Sequence, residues 1–202
     1  MNKIKLLIAG IGVSGVLFLL PVLGFGQAAM EPSYEVSLQL LMGSNEAGQK
    51  ANLPSSLSGI SQRLRSNYSY SNYRLAETLF GRISNKGKFE YRSGANIGRE
   101  MLTQPQNFIE FTANDLRNSQ TSKGGPAFQI ESLRFGARVA VVTSVTKDET
   151  GKERTNINYE QIGITLNKVG VPDNVPTMIG TLNLPGENDM IFLVMTVKSV
   201  DL

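Results

Sequence analysis

Beyond residue 33 the chain alternates apolar and polar positions in runs separated by Gly, Pro, Asn and charged residues. Tyr34, Val36, Leu38 and Leu40 share one parity, with Glu35, Ser37 and Gln39 on the other, which predicts a strand over 34–42. A polar stretch, 43–52, follows as an exposed loop. Leu53, Leu57, Ile60 and Leu64 then recur at spacings of four, three and four. That stripe predicts a short helix, with Pro54 in its first turn and Arg63 and Arg65 near its C-terminus. Residues 70–82 predict a strand in which Tyr73, Leu75, Leu79 and Ile83 share a parity. The turn Asn85-Lys86-Gly87-Lys88 and the return over 88–92 predict a hairpin.

From residue 108 the pattern is all β, with predicted strands over 108–116, 128–144, 156–166, 177–184 and 190–200. The second and third flank a charged tip, 147–153, centred on Gly151, which predicts a long antiparallel hairpin. Met190 to Val200 is the most apolar segment after the N-terminus and predicts a central strand covered on both faces. The fold expected is α+β and β-rich. A strand-helix-strand-strand unit continues into a mainly antiparallel β-sheet or sandwich. A length of 202 residues suits a single β-rich domain over 29–202, with a subdomain seam near 93–106.

The N-terminus departs from this pattern. Lys3 and Lys5 precede an uncharged, largely apolar stretch, 6–26, and small-x-small triplets end at Gly26 and Ala28. This is the layout of a secretory signal peptide over 1–28, with Pro21 placed to end its helix before the cleavage site. The alternative is an uncleaved anchor, since about 20 apolar residues can span a bilayer. Membrane contact would then run through 6–26 alone. Either way the body is expected to be exported, to the periplasm, the cell envelope or the medium.

Composition removes several chemistries. The chain has no Cys and no His, so disulfides, Cys-type zinc sites, Cys nucleophiles and His general bases are excluded, and no cofactor or metal is expected. The formal charge is +3, but without Lys3 and Lys5 it falls to +1. A nearly neutral exported body has no electrostatic footprint for nucleic acid.

Short motifs add little. Ser144-Val145-Thr146-Lys147 has the Ser-x-x-Lys spelling but sits at a strand end, not at the helix start that chemistry needs. Glu77 falls on an apolar parity with Glu90 across the predicted hairpin, a pairing that reads as a cross-strand ion-pair site with Arg82 or Arg92. The most distinctive segment is 63–74, where Arg63, Arg65 and Arg74 accompany Tyr68, Tyr70 and Tyr73. Tyr and Arg bring large contact area and polar reach to interfaces. Strand parity puts Tyr73 inside and Tyr68 and Tyr70 outside, so the candidate partner-binding residues are Arg63, Tyr68, Tyr70 and Arg74, with no catalytic residue assigned.

No motif identifies a named family. The element order, with Asn72-Tyr73-Arg74-Leu75 and the run from Ile179-Gly180-Thr181-Leu182 to Phe192-Leu193-Val194-Met195, resembles the small periplasmic modules of secretin-type outer-membrane proteins. A strongly amphipathic barrel-forming series does not accompany it. The resemblance implies an accessory of an envelope or secretin-like assembly. The expected function is therefore non-enzymatic binding or scaffolding, with a protein or glycan partner in the envelope. The alternatives are a carboxylate-dependent hydrolase of envelope polysaccharide and a membrane-anchored subunit of a larger complex.

Overall fold

The computed structural model describes residues 32–46, 53–97, 106–186 and 188–200, which belong to one compact unit, Glu31–Leu202. The predicted signal segment and residues 98–105 of the predicted seam lie outside the described residues. The described chain is mostly antiparallel β with one short helix. One sheet, A, has the order β2-β1-β8-β7, formed by β1 (Ser33–Ser44), β2 (Asn72–Ser84), β7 (Thr177–Asn183) and β8 (Met190–Val200). The other, B, has the order β3-β4-β5-β6, formed by β3 (Lys88–Ala95), β4 (Asn107–Gln120), β5 (Pro126–Lys147) and β6 (Glu153–Pro172).

The alternation places one core between the sheets. Tyr34, Val36, Leu38 and Leu40 of β1 and Ile191, Leu193 and Met195 of β8 pack against Ile109 and Phe111 of β4 and Ile130, Leu133 and Phe135 of β5. A second, smaller cluster lies on the other side of sheet A. There the helix α1 (Ser58–Asn67), preceded by the 3-10 turn Ser55–Leu57, lays Leu57, Ile60 and Leu64 over Leu41, Tyr73, Phe192 and Val194. The leucine stripe of the sequence is the buried face of this helix. Because β8 lies between β1 and β7 and between the two clusters, Ile191 through Met195 are all buried, whichever way each points.

Two local expectations are corrected. The turn at 85–87 does not close a hairpin. β2 pairs with β1 and β3 pairs with β4, so the turn carries the chain from sheet A to sheet B. Its amides are tied to both layers: Asn85 N–H donates to the Pro32 carbonyl at 3.0 Å and Lys86 N–H to the Leu116 carbonyl at 3.0 Å. The Phe89 ring then folds over β2 at Gly81, where a β-carbon would stand 2.2 Å from ring atom Cε2. Any side chain at 81 would force the Phe89 ring to move.

The second correction concerns β2. Tyr73 and Leu75 pack on the helix side, whereas Leu79 and Ile83 pack between the sheets. The register shifts between Leu40 and Leu41, leaving Ala76 as an extra residue on β2, and this bulge turns the strand's apolar parity from one face to the other.

The predicted long hairpin is present as β5 and β6, paired from Ala127↔Pro172 to Lys147↔Glu153. It outgrows its sheet. β4 follows β5 only as far as Phe108↔Arg138, so from Val139↔Glu160 onward β5 and β6 run on by themselves as a two-stranded arm.

Candidate binding face

The outer side of sheet A is covered by α1 over Leu41, Tyr73, Phe192 and Val194, leaving Phe80 of β2 62% exposed, whereas sheet B presents its outer face to solvent. Pairing sets out that face in rows. Gly94, Phe108, Arg138 and Gln161 form one row, and Arg92, Glu110, Gly136 and Gly163 the next. Gly136 and Gly163 have no side chains to fill the second row, so an open trough of about 450 Å³ lies between Phe108, Arg138 and Gln161 on one side and Arg92 and Glu110 on the other. Arg134 approaches Glu110 at 3.7 Å, and Lys88 and Arg92 hold Glu90 at 2.6 and 3.0 Å. The hydrogen bond from Lys88 and the charges of Lys88 and Arg92 keep the Glu90 carboxyl below its ordinary pKa.

An aromatic corner marks the upper edge of the trough. Phe108 and Tyr159 lie with ring centroids 6.3 Å apart, and the Arg138 guanidinium carbon stands 5.4 Å from the Tyr159 ring centre. The Tyr159 hydroxyl donates to the Gln106 carbonyl at 3.3 Å. From this corner an apolar strip runs up the arm. Tyr159 pairs with Ala140 and Ile157 with Val142, and after a bulge between Val142 and Ser144 the next pair on this face is Val145 with Thr155. Phe108, Tyr159, Val142, Ile157 and Val145 are each 37–54% exposed. At strand spacing the strip extends about 20 Å. The arm's other face carries Val139, which is buried, and Val141, which is half-buried, at its base, and Ser144, Thr146, Arg154, Asn156, Asn158 and Glu160 otherwise. Beyond Val141 the arm is amphipathic, with its apolar side facing water.

Of the residues singled out from sequence, Tyr73 lies inside as expected, and Tyr68, Tyr70 and the arginines are placed differently. Tyr73 is buried, and its hydroxyl donates toward the carbonyls of Leu64 at 3.2 Å and Tyr68 at 3.1 Å. Tyr68 and Tyr70 do not lie on β2, which begins at Asn72, and they do not point outward. They are half-buried around Phe192, with ring centroids 4.8 and 6.2 Å from it. Tyr70 fits because Gly43 below has no side chain; a β-carbon there would stand 2.8 Å from the Tyr70 ring. Burial pushes the phenols of Tyr34, Tyr70 and Tyr73 above their ordinary pKa.

What Tyr68 and Tyr70 leave exposed lines a shallow trough of about 600 Å³ with Asn45, Asn67, Asn183, Asn188 and Asp189. The structure does not bring the two arginines to it. Arg63 is exposed on α1, and Arg74 lies on β2 with its guanidinium 3.4 Å from the Asn96 carbonyl.

Other motifs are also accounted for. Glu77 pairs with Leu40 of β1 and Glu90 with Thr112 of β4, so the two carboxylates are not cross-strand neighbours. Ser144 and Lys147 lie on the arm; the Ser144 hydroxyl accepts from Asn156 at 2.8 Å and Lys147 pairs with Glu153 at 3.4 Å. The tip is closed by Asp148, whose carboxylate accepts from the Thr150 hydroxyl at 2.6 Å and from the amides of Thr150 and Lys152 at 3.0 Å. The strip was missed in sequence because Val142, Val145, Ile157 and Tyr159 looked like ordinary strand residues. The available signal was length, since β5 and β6 hold 22 and 20 residues against 14 for β4. Among the described residues no group of acidic side chains could hold a metal ion, and no helix is long and apolar enough to cross a membrane.

No family model and no curated protein matches the chain. Solved structures show a weak similarity to secretins. The secretin InvG of the Salmonella SPI-1 type III secretion injectisome, in its open-gate state, aligns at 9% identity and a TM-score of 0.34. The V. cholerae type IV competence pilus secretin PilQ aligns at 11% and 0.31. The Klebsiella pneumoniae type II secretion outer membrane complex of PulD, PulS and the PulC HR domain aligns at 10% and 0.29. Each alignment covers 85% of this chain but only 62%, 58% and 39% of the other.

Proposed function

We propose that the chain is an exported cell-envelope protein with a non-enzymatic binding or scaffolding role, an accessory of a larger envelope assembly. Its protein partner docks on the outer face of sheet B and the arm. The observation that supports this reading is the apolar strip from Phe108 to Val145, held on paired strands and exposed along its length. A contiguous apolar surface with a polar rim is a liability in water unless a partner covers it. Arg92, Arg134 and Arg138 supply the rim. The envelope location rests on the N-terminal sequence, with Lys3 and Lys5 ahead of the apolar stretch 6–26.

The test is site-specific photocrosslinking in intact cells, with the photoreactive residue at Val142 or at Ile157 and a control at Lys123 in the β4–β5 loop. One protein adduct from both strip positions, found in the envelope fraction and missing from Lys123, is the expected result. Equal adducts from all three sites, or recovery of the chain in the cytoplasm, would overturn the reading. N-terminal sequencing of the envelope protein separates a chain starting at Gln27 or Ala29 from one that keeps 6–26 as an anchor.

A glycan partner is the second reading, favoured by the trough in which Tyr68 and Tyr70 meet four asparagine amides. Loss of binding to isolated envelope polysaccharide in Tyr70→Ala, with the strip intact, would support it.

A further inference from the structure

The arm carries a second feature, along its edge rather than its face. An isolated two-stranded ribbon is marginal in water, and an edge strand offers a row of unpaired N–H and C=O groups to another strand. Edges are usually blunted by charge, proline or a bulge. β3, the opposite edge of sheet B, alternates Lys88, Glu90 and Arg92 along its exposed face, and on the arm the β5 side is broken by the bulge between Val142 and Ser144. The β6 side has neither charge, proline nor bulge at its centre, and only the Asn158 side chain screens it, accepting from the Tyr159 N–H at 3.0 Å, a bond a pairing strand would have to replace. Thr155-Asn156-Ile157-Asn158-Tyr159 contains no charge and no proline, and its register with β5 shifts only at that β5 bulge.

That segment is also complementary to itself. In an isologous contact around a two-fold axis, residue i faces j and j faces i. With two β6 strands antiparallel and the axis at Ile157, Ile157 faces its own copy, Asn156 faces Asn158 and Thr155 faces Tyr159. Arg154 faces Glu160 twice, and Glu153 faces Gln161. The charged pair falls on the polar face of the arm and Ile157 on the apolar face, so both faces match. Moving the axis one residue either way puts Arg154 opposite Asn158 or Ile162 and loses the match. The Arg154 side chain is 75% exposed and its ion pair among the described residues is the long one to Asp148, at 3.8 Å, so it is available for a nearer carboxylate.

We propose that two copies of this chain pair through β6 over Glu153 to Gln161, joining their arms into one four-stranded antiparallel sheet around a two-fold axis at Ile157. The two apolar strips then lie side by side on a single face.

The chain has no cysteine, so a direct test is available. Residues facing each other in an antiparallel pair have Cα atoms about 4.5–5.5 Å apart, within disulfide range. Ile157→Cys in the full chain should therefore oxidise to a covalent dimer, and Lys123→Cys should not. Sedimentation of the purified protein should show a concentration-dependent dimer. Arg154→Glu or Glu160→Arg should weaken it by about tenfold, because each reversal sets two like-charge pairs face to face. The double variant Arg154→Glu/Glu160→Arg should return it to within about threefold of the parent, because the pairs re-form with exchanged signs. Both residues are exposed, so circular dichroism should find every variant folded.

A monomer at all concentrations would overturn the proposal, as would failure of the double variant to restore the dimer. Rings or open chains in which the Ile157→Cys variant forms no crosslink would point instead to β6 pairing with β3 of another copy, and would overturn it too. The docking reading is judged by adducts formed in cells, so a monomeric pure protein leaves it standing. Loss of the adducts likewise leaves the dimer standing.

Discussion

Sheets A and B are built from the same alternating pattern and meet across the same core, yet their outer faces differ. Outside sheet A, α1 covers Leu41, Phe192 and Val194, so β8 is apolar on both parities. Outside sheet B nothing among the described residues plays that part. Its strands keep polar or glycine outer positions over the core, then carry Tyr159, Val142, Ile157 and Val145 where the arm leaves it. Apolar residues under α1 on the outer face of A hold the molecule together, while Phe80 of β2, beyond the helix, stays exposed. Those on the outer face of B add little to its own packing and suit a partner's surface.

This contrast sets the scale of the expected mutational effects. Leu193→Asp puts an unpaired carboxylate at the fully buried centre of β8 and should abolish soluble expression, at a cost of more than about 4 kcal/mol. A soluble, folded Leu193→Asp protein would contradict a central β8. Next comes the tyrosine pair on the helix side. Tyr73→Ala removes a buried ring and its bonds to Leu64 and Tyr68 and should cost about 3–5 kcal/mol in a denaturant melt. Tyr70→Ala, half-buried on Phe192, should cost about 1–3 kcal/mol. Strand alternation alone would leave Tyr70→Ala neutral, so a measurable loss separates packing around Phe192 from simple parity.

Tyr34 tests the core from the opposite direction. Its ring packs edge-on against Phe128 at 5.2 Å, but its buried hydroxyl finds no partner among the described residues. Tyr34→Phe should therefore stabilise the fold by about 1 kcal/mol, seen as a higher denaturation midpoint. An unchanged or lower midpoint would mean that the hydroxyl is solvated or bonded.

The smallest effect is expected at the arm tip. Hydrogen bonds from the Thr150 hydroxyl and from the Lys152 and Thr150 amides hold the Asp148 carboxyl below its ordinary pKa of 3.8. A depressed folded pKa contributes order that is complete above the ordinary value and is lost as pH falls below it through the folded value. Fluorescence from a label at the tip should therefore report loosening only in that acidic window, with the main melt unchanged. Asp148→Asn should remove the transition. Loosening near neutral pH would show that Asp148 does not hold the tip.

Much of this fold was legible in the sequence because its signals are local. Period-two alternation marked β1, the spacing of Leu57, Ile60 and Leu64 marked the helix face, and the charged Gly151 tip marked the β5–β6 hairpin. The continuous apolar run of β8 announced a strand with neighbours on both sides. The tertiary structure decided what depends on partners distant in the chain. Asn85-Lys86-Gly87 reads as a hairpin turn by itself, but β1 and β4 take the hydrogen-bonding edges of β2 and β3, and the turn becomes a crossing between layers. Tyr68 and Tyr70 follow parity only if they lie on a strand; Phe192, more than a hundred residues away, draws them inward over Gly43. The apolar strip is invisible to composition for the same reason. Whether Val142 and Ile157 are core or surface depends on whether another strand or sheet lies against them, and the end of β4 pairing at Phe108 leaves them exposed.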